Sequence, residues 1–190
     1  GRWTRMENIY LQGKTIGIIG TGNIGSELAR LSNAIGMNVI AWTFNPSEDR
    51  EESIGLKYVD LDVLLASSDV VSLNVALTNE TRGMIGDREL SLMKQGALLV
   101  NCARGPLVDT TALAKALDSG RLAGAALDVY DVEPLPDNYP VLACEHVILT
   151  PHMADQTAEG IELLNEGVVN NVISFLEGSP ENVVNPAVLQ

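Results

Sequence analysis

Residues 15–25, Thr-Ile-Gly-Ile-Ile-Gly-Thr-Gly-Asn-Ile-Gly, restrict the fold more than any other stretch of the chain. Ile16, Ile18 and Ile19 make a short β-branched run, the pattern of a parallel strand buried on both faces. Gly20, Gly22 and Gly25 follow in G-x-G-x-x-G spacing. The first glycine permits a tight turn off the strand, the second lets backbone approach a pyrophosphate, and the third lets the next helix pack close to the sheet. That helix is predicted over residues 23–34. Asn23 and Ile24 open it, and its first N–H groups and positive dipole end face the same space. A strand before the glycines and a helix after them are the context that gives the motif weight.

The order of elements extends this start into a doubly wound α/β fold. Strands are predicted at residues 38–42, 56–59, 69–75, 97–101, 123–129 and 147–149. Helices are predicted at 61–66, capped by Asp60, at 90–93, and after Asp109 or Thr110, where Leu113, Ala116 and Leu117 share a face and Gly120 ends the run. Strands alternating with helices at this spacing imply one parallel sheet. A lead-in with Trp3 and Tyr10 occupies residues 1–12, and the dinucleotide-binding domain residues 13–152. Residues 153–190 form a C-terminal helix and tail. In that tail Ile161, Leu164, Val168, Val172, Phe175 and Leu176 recur at helical spacing.

Twelve basic against 25 acidic residues give a net charge of −13, which argues against nucleic acid or an anionic membrane as partner. No stretch is long and apolar enough to span a bilayer. Cys102 and Cys144 lack metal-ligand spacing and read as reduced thiols of a cytoplasmic protein, with no metal site expected. The chain begins at Gly1, as a piece of something longer would.

Arg104, Glu133 and His152 each follow a predicted strand end. In an open α/β sheet, ligands bind beyond the carboxyl ends of the strands, where the Gly-rich loop also lies. A cation, a carboxylate and an imidazole beside a dinucleotide suit hydride chemistry on a carbonyl. His exchanges the hydroxyl proton near neutral pH, the carboxylate orients the ring and raises its pKa, and the guanidinium grips a substrate carboxylate. His146, the other histidine, reads as a hydrogen-bonded structural residue. At the end of the second strand, where an acid would meet the adenosine ribose, stands Thr43. Arg50 is the nearest arginine, so NAD and NADP both remain open, with NAD the first choice.

The chain resembles the coenzyme-binding region of the D-isomer-specific 2-hydroxyacid dehydrogenases. The resemblance rests on Leu11-Gln12-Gly13-Lys14-Thr15 leading into the Gly-rich loop and on Asn101-Cys102-Ala103-Arg104-Gly105. It rests further on residues 126–134 (Ala-Leu-Asp-Val-Tyr-Asp-Val-Glu-Pro), on Thr150-Pro151-His152 and on Asn182-Val183-Val184-Asn185-Pro186. It implies a Rossmann-like NAD(P)-binding domain and hydride transfer between nicotinamide and a small D-2-hydroxy or 2-oxo acid. It implies Arg104 as substrate clamp, Glu133 as partner of the histidine and His152 as acid/base. Asp128 is implied at the nicotinamide end, and Gly20, Gly22, Asn23, Ile24, Gly25, Thr43, Asn74, Cys102 and Ala103 along the cofactor.

The sequence departs from the family at Thr43, where many members have Asp, and at Asn74, where many have His. Cys102 replaces a small hydroxyl residue and reads as a packing change. Residues 153–157 lack the glycines that often follow the histidine. The N-terminal part of the substrate domain is absent, so the resemblance implies that the terminal helix belongs to that domain. It also implies a homodimer. The competing readings are a non-catalytic NAD(H) sensor or assembly module on the same fold and, from a different class, a hydrolase using bound NAD.

Overall fold

The structure, a computed structural model, describes residues 8–189. Trp3, and with it the start of the expected lead-in, lies outside the described residues. The strands are β1 (Thr15–Ile19), β2 (Asn38–Trp42), β3 (Lys57–Tyr58), β4 (Val70–Leu73), β5 (Ala97–Asn101), β6 (Leu122–Leu127) and β7 (Val147–Leu149). They form one parallel sheet in the order β3-β2-β1-β4-β5-β6-β7. The helices are α1 (Asn23–Ala34), α2 (Glu48–Ile54), α3 (Leu61–Ser67), α4 (Asp87–Leu92), α5 (Thr110–Asp118) and α6 (Ala158–Leu176). This is a Rossmann-like α/β architecture. The chain leaves β1 for one half of the sheet, then returns to β4 on its other side, and this reversal opens a crevice at the carboxyl edge.

The period-two alternation of β1 divides the core between the two faces. Ile16 and Ile18 pack with Ala29 of α1 and with Met37, Val39 and Ala41. Ile19 faces the other cluster, with Leu64, Leu65, Val71, Leu73 and Leu113. Gly17 also faces α3: a Cβ there would lie 2.2 Å from Ser68 Oγ and 2.5 Å from Leu64 Cδ2. The absent side chain is what lets α3 lie against the strand.

Several element ends differ from the sequence expectation. The strand expected at 69–75 is Val70–Leu73; just before it, the Asp69 carboxylate accepts from the Thr15 N–H (2.9 Å) and Lys94 Nζ (2.6 Å). The strand expected at 123–129 starts at Leu122 and stops before Asp128, which is buried. The short helix expected at 90–93 is Asp87–Leu92, begun by the Gly86 N–H donating to Glu89 Oε2 at 3.2 Å. Asp60 stands at the N-cap of α3, but its backbone carbonyl rather than its side chain starts the helix, accepting from Leu64 N–H at 2.9 Å. Asp109, not Thr110, caps α5, its Oδ1 accepting from the Thr111 and Ala112 N–H groups. The expectation missed α2 altogether. Its signal was present: Ser47 at the N-cap, acids at 48, 49 and 51, and Gly55 in the left-handed region at the end.

The described chain divides into two units, one ending at His152 and the other beginning at Met153. In the second unit Thr157 Oγ1 accepts the Gly160 N–H at 2.9 Å and starts α6. Ile161, Leu164, Val168, Val172, Phe175 and Leu176 are all exposed. Among the described residues, no helix is long and apolar enough to cross a membrane, and no cluster could hold a metal ion.

Candidate active site

Because every strand is parallel, every carboxyl end falls on one edge of the sheet. Along that edge Gly20 follows β1, Thr43 follows β2, Asn74 follows β4, Cys102 follows β5, Asp128 follows β6 and Thr150 follows β7. Of these, Gly20, Thr43, Asn74, Cys102 and Asp128 were nominated from the sequence, and the fold sets them along one edge.

The three glycines divide their tasks. Gly20 (φ +96°) turns tightly enough that a Cβ would sit 2.8 Å from the Asn74 backbone, and its N–H donates to the Trp42 carbonyl at 2.8 Å. Gly25 brings α1 down so closely that a Cβ would lie 2.0 Å from the Gly20 carbonyl oxygen. Gly22 is different: a Cβ there would meet nothing within 4 Å. Its bareness serves no contact inside the protein, so the space above it is room for a ligand. Gly22 is also the N-cap of α1, offers no side chain to the first-turn N–H groups, and no acid sits in that turn. A helix start with unsatisfied donors and no competing anion fits a pyrophosphate.

At the β2 end of this edge, Thr43 lines a cavity of about 360 Å³ with Trp42, Pro46, Tyr58, Val59 and Asp60. Thr21, between the first two glycines, is held from two sides. Its Oγ1 lies 2.8 Å from Tyr58 Oη, and its carbonyl accepts from Arg50 Nη1 at 2.7 Å. Sequence reasoning gave Arg50 no contact, because the helix that carries it was not foreseen.

At the other end a cavity of about 540 Å³ is lined by Ile24, Asn74, Cys102, Ala103 and Arg104, together with residues 73 and 75–77. Asn74 turns its amide back onto the Ser72 carbonyl (3.2 Å) and Oγ (3.1 Å). Cys102 is exposed on this wall, which corrects the expectation that it fills a packing position. Desolvation first, and the Asp128 charge second, hold its thiol above the ordinary range. Asn101 shapes the loop: its Oδ1 accepts the Ala103 N–H and its Nδ2 donates to the Arg104 carbonyl, both at 3.0 Å. Arg104 is exposed, with Nη1 donating to the Ala103 carbonyl at 2.6 Å.

His152 and Glu133 meet. Nδ1 lies 2.9 Å from Glu133 Oε2, while Glu133 Oε1 accepts the Tyr130 N–H at 3.0 Å. The hydrogen bond that Glu133 accepts from His152, and then the Glu133 charge, raise the His152 pKa. Asp128 adds in the same sense and Arg104 opposes. The Glu133 carboxyl is correspondingly lowered, by His152 first and by the Tyr130 N–H second. Asp128 is buried beside them and accepts from Thr150 Oγ1 at 2.6 Å. With Nδ1 engaged, Nε2 is the nitrogen left to handle a proton. His146 is exposed, and its main-chain carbonyl, not its ring, is what bonds, accepting from Ala125 N–H at 3.2 Å.

A glycine-lined crevice at the switch point of a parallel sheet defines a dinucleotide-binding α/β domain. Comparison with known proteins narrows the class. The chain belongs to the D-isomer specific 2-hydroxyacid dehydrogenases, matching the family's NAD-binding domain over residues 1–154. It is 46% identical over 180 residues to a glyoxylate reductase of Thermococcus litoralis, a match covering 94% of this chain and 54% of that protein. Among solved structures it resembles a glyoxylate reductase from Paecilomyes thermophila, with TM-score 0.85, 43% identity, and coverage of 92% of this chain and 53% of that one. It also resembles a D-lactate dehydrogenase with NAD+ from Lactobacillus jensenii, with TM-score 0.82, 35% identity, and coverage of 90% and 55%. The chain thus spans about half the length of these relatives.

Proposed function

We propose that this chain is the cofactor-binding half of an NAD(P)-dependent D-2-hydroxyacid dehydrogenase acting on a small 2-hydroxy or 2-oxo acid. The observation that carries the reading is the His152–Glu133 pair at 2.9 Å, on the same sheet edge as the glycine cradle. When bound, nicotinamide supplies or accepts the hydride at the carbon bearing the substrate oxygen. His152 Nε2 gives the proton to that oxygen during reduction and takes it back during oxidation. Glu133 holds the ring at Nδ1 and favours the imidazolium. Arg104 offers its remaining N–H groups to the substrate carboxylate, which fixes the 2-oxo carbon and polarises its carbonyl. Asp128 lies toward the nicotinamide end. Residues 153–190 belong with the substrate domain in this reading, and the protein works as a cytoplasmic homodimer.

The names of the relatives support small 2-oxo acids as substrates. The test is NAD(P)H oxidation with glyoxylate, hydroxypyruvate and pyruvate. The 190 residues alone are expected to bind dinucleotide and to turn over far below the 1–1000 per second of whole enzymes. Full rates from these residues would refute the half-site reading. NAD(P)H oxidation unaffected by His152→Ala in a chain extended to the relatives' length would refute the dehydrogenase reading. Light scattering reports the dimer.

A further inference from the structure

We propose that Tyr130 is a positioning residue for the acid/base pair, its hydroxyl tying together the two strand ends that carry Glu133 and His152. The proposal rests on the dehydrogenase reading only for the use made of the pair; the geometry stands apart from it.

Tyr130 lies three residues beyond β6 and is buried. Its Oη lies 3.0 Å from the Leu127 carbonyl, at the end of β6, and 2.8 Å from the Thr150 carbonyl, beyond the end of β7. One O–H is therefore shared between adjacent strand ends. The Thr150 carbonyl has a second task, accepting the His152 N–H at 3.0 Å. His152 itself adopts φ +51°. A non-glycine residue persists in that left-handed region only where its surroundings over-determine it. The Thr150 carbonyl is the point about which that turn is held, and Tyr130 holds the carbonyl. The same residue's N–H reaches Glu133 Oε1 at 3.0 Å. Tyr130 thus bonds to both halves of the pair, its backbone to the carboxylate and its side chain to the turn that bears the imidazole. Its ring is fixed in turn by an edge-to-face contact with Tyr139, centroids 5.9 Å apart and planes at 88°.

The chemistry makes such a tie consequential. Glu133 and His152 are both on the surface of the cleft, where a 2.9 Å contact between side chains is easily lost to solvent. Holding both backbones in register lowers the conformational freedom the pair must give up each time it forms.

The test uses the full 190-residue chain, which contains two histidines. Titration of the imidazole resonances, with His146 assigned through His146→Gln, reads His152 directly. The charged groups facing it are Glu133, Asp128 and Arg104, and all remain in the variant. Tyr130→Phe keeps the ring and removes only the hydroxyl. Its His152 is expected to titrate below wild type, toward the position set by Glu133→Gln. Tyr139→Phe removes a nearby hydroxyl that bonds Asp131 (2.6 Å) rather than the turn, and should leave His152 unmoved. A Tyr130→Phe titration superimposable on wild type would overturn the proposal, as would an equal shift from Tyr139→Phe. Amide exchange in wild type gives a second measurement independent of any variant. The His152 N–H is expected to exchange slowly, and exchange at the free-peptide rate would also overturn the proposal. None of these readouts depends on turnover, so failure of the dehydrogenase reading would appear separately, as absent NAD(P)H oxidation.

Discussion

Gly25 and Gly22, three residues apart, are expected to fail in opposite ways when changed to alanine. At Gly25 the new Cβ would lie 2.0 Å from the Gly20 carbonyl oxygen, 3.0 Å from its carbon and 3.3 Å from Ile18 Cγ2. Ordinary contact begins near 3.4 Å, so helix and strand end must part by 3.4 − 2.0 = 1.4 Å. The obstacle is backbone, which cannot rotate away, so the overpacking penalty falls toward the top of about 1–3 kcal/mol. Replacing a helical glycine returns about 1 kcal/mol of propensity. The clash wins, leaving a net loss of about 1–2 kcal/mol, together with a displaced phosphate cradle. At Gly22 the Cβ meets nothing, and φ −69° suits any L-residue. Stability should stay within about 1 kcal/mol of wild type, since only a modest N-cap preference is lost. The methyl does occupy the space left for a pyrophosphate. Losing one backbone bond to a charged phosphate, about 1.5–3 kcal/mol, weakens binding about 10- to 100-fold. Urea unfolding followed by circular dichroism, with fluorescence titration of NADH and NADPH, reads both quantities. A Gly22→Ala protein that binds like wild type, or that is destabilised as much as Gly25→Ala, would refute this division of labour.

The remaining predictions concern charge and capping. Glu133 raises the His152 pKa, so the stabilisation gained by the imidazolium is complete below the ordinary histidine range and is lost as pH rises through the raised value. His152 lowers Glu133, so the carboxylate's share is complete above the ordinary glutamate range and is lost as pH falls through the depressed value. The pair therefore works in the window between, and Glu133→Gln should move the upper edge of the pH–rate profile down; an unmoved edge would mean that the pair does not control the proton. Thr43→Asp should increase preference for NAD over NADP in titrations with both, and an unchanged ratio would remove position 43 from the ribose. Asp109→Ala removes the acceptor for two first-turn N–H groups of α5 and should destabilise the domain by about 1 kcal/mol in urea unfolding.

What could be read before any coordinates followed from local patterns with one physical cause. Residues 38–42, 97–101 and 147–149 are short, largely apolar runs bounded by turn residues, and their ends fall where expected. At strand ends that carry an acid the pattern ran too far: Asp69 and Asp128 stand just outside β4 and β6, their N–H groups still bonded to the Thr15 carbonyl (2.8 Å) and the Asn101 carbonyl (3.0 Å), while their carboxylates bond Thr15 N–H, Lys94 and Thr150. The surface helix α2 has no buried residue to create a period, so only its acids and caps could have shown it. Cys102 looked like a packing change because composition cannot tell an inward from an outward position beyond a strand end.

The glycine spacing and the alternation of β-branched runs with helical stretches are properties of the chain itself. They determined a doubly wound sheet with an anion-binding turn, because backbone sterics and burial act over a few residues at a time. The meeting of His152 with Glu133, the approach of Arg104's charge, the hold of Arg50 on Thr21 and the bridge made by Tyr130 join residues up to 48 positions apart (152 − 104). Those were decided by strand order, since a parallel sheet in the order β2-β1-β4-β5-β6-β7 sets their loops side by side on one edge. Hydrogen bonds and charge act over a few ångströms, and the fold alone supplies that proximity.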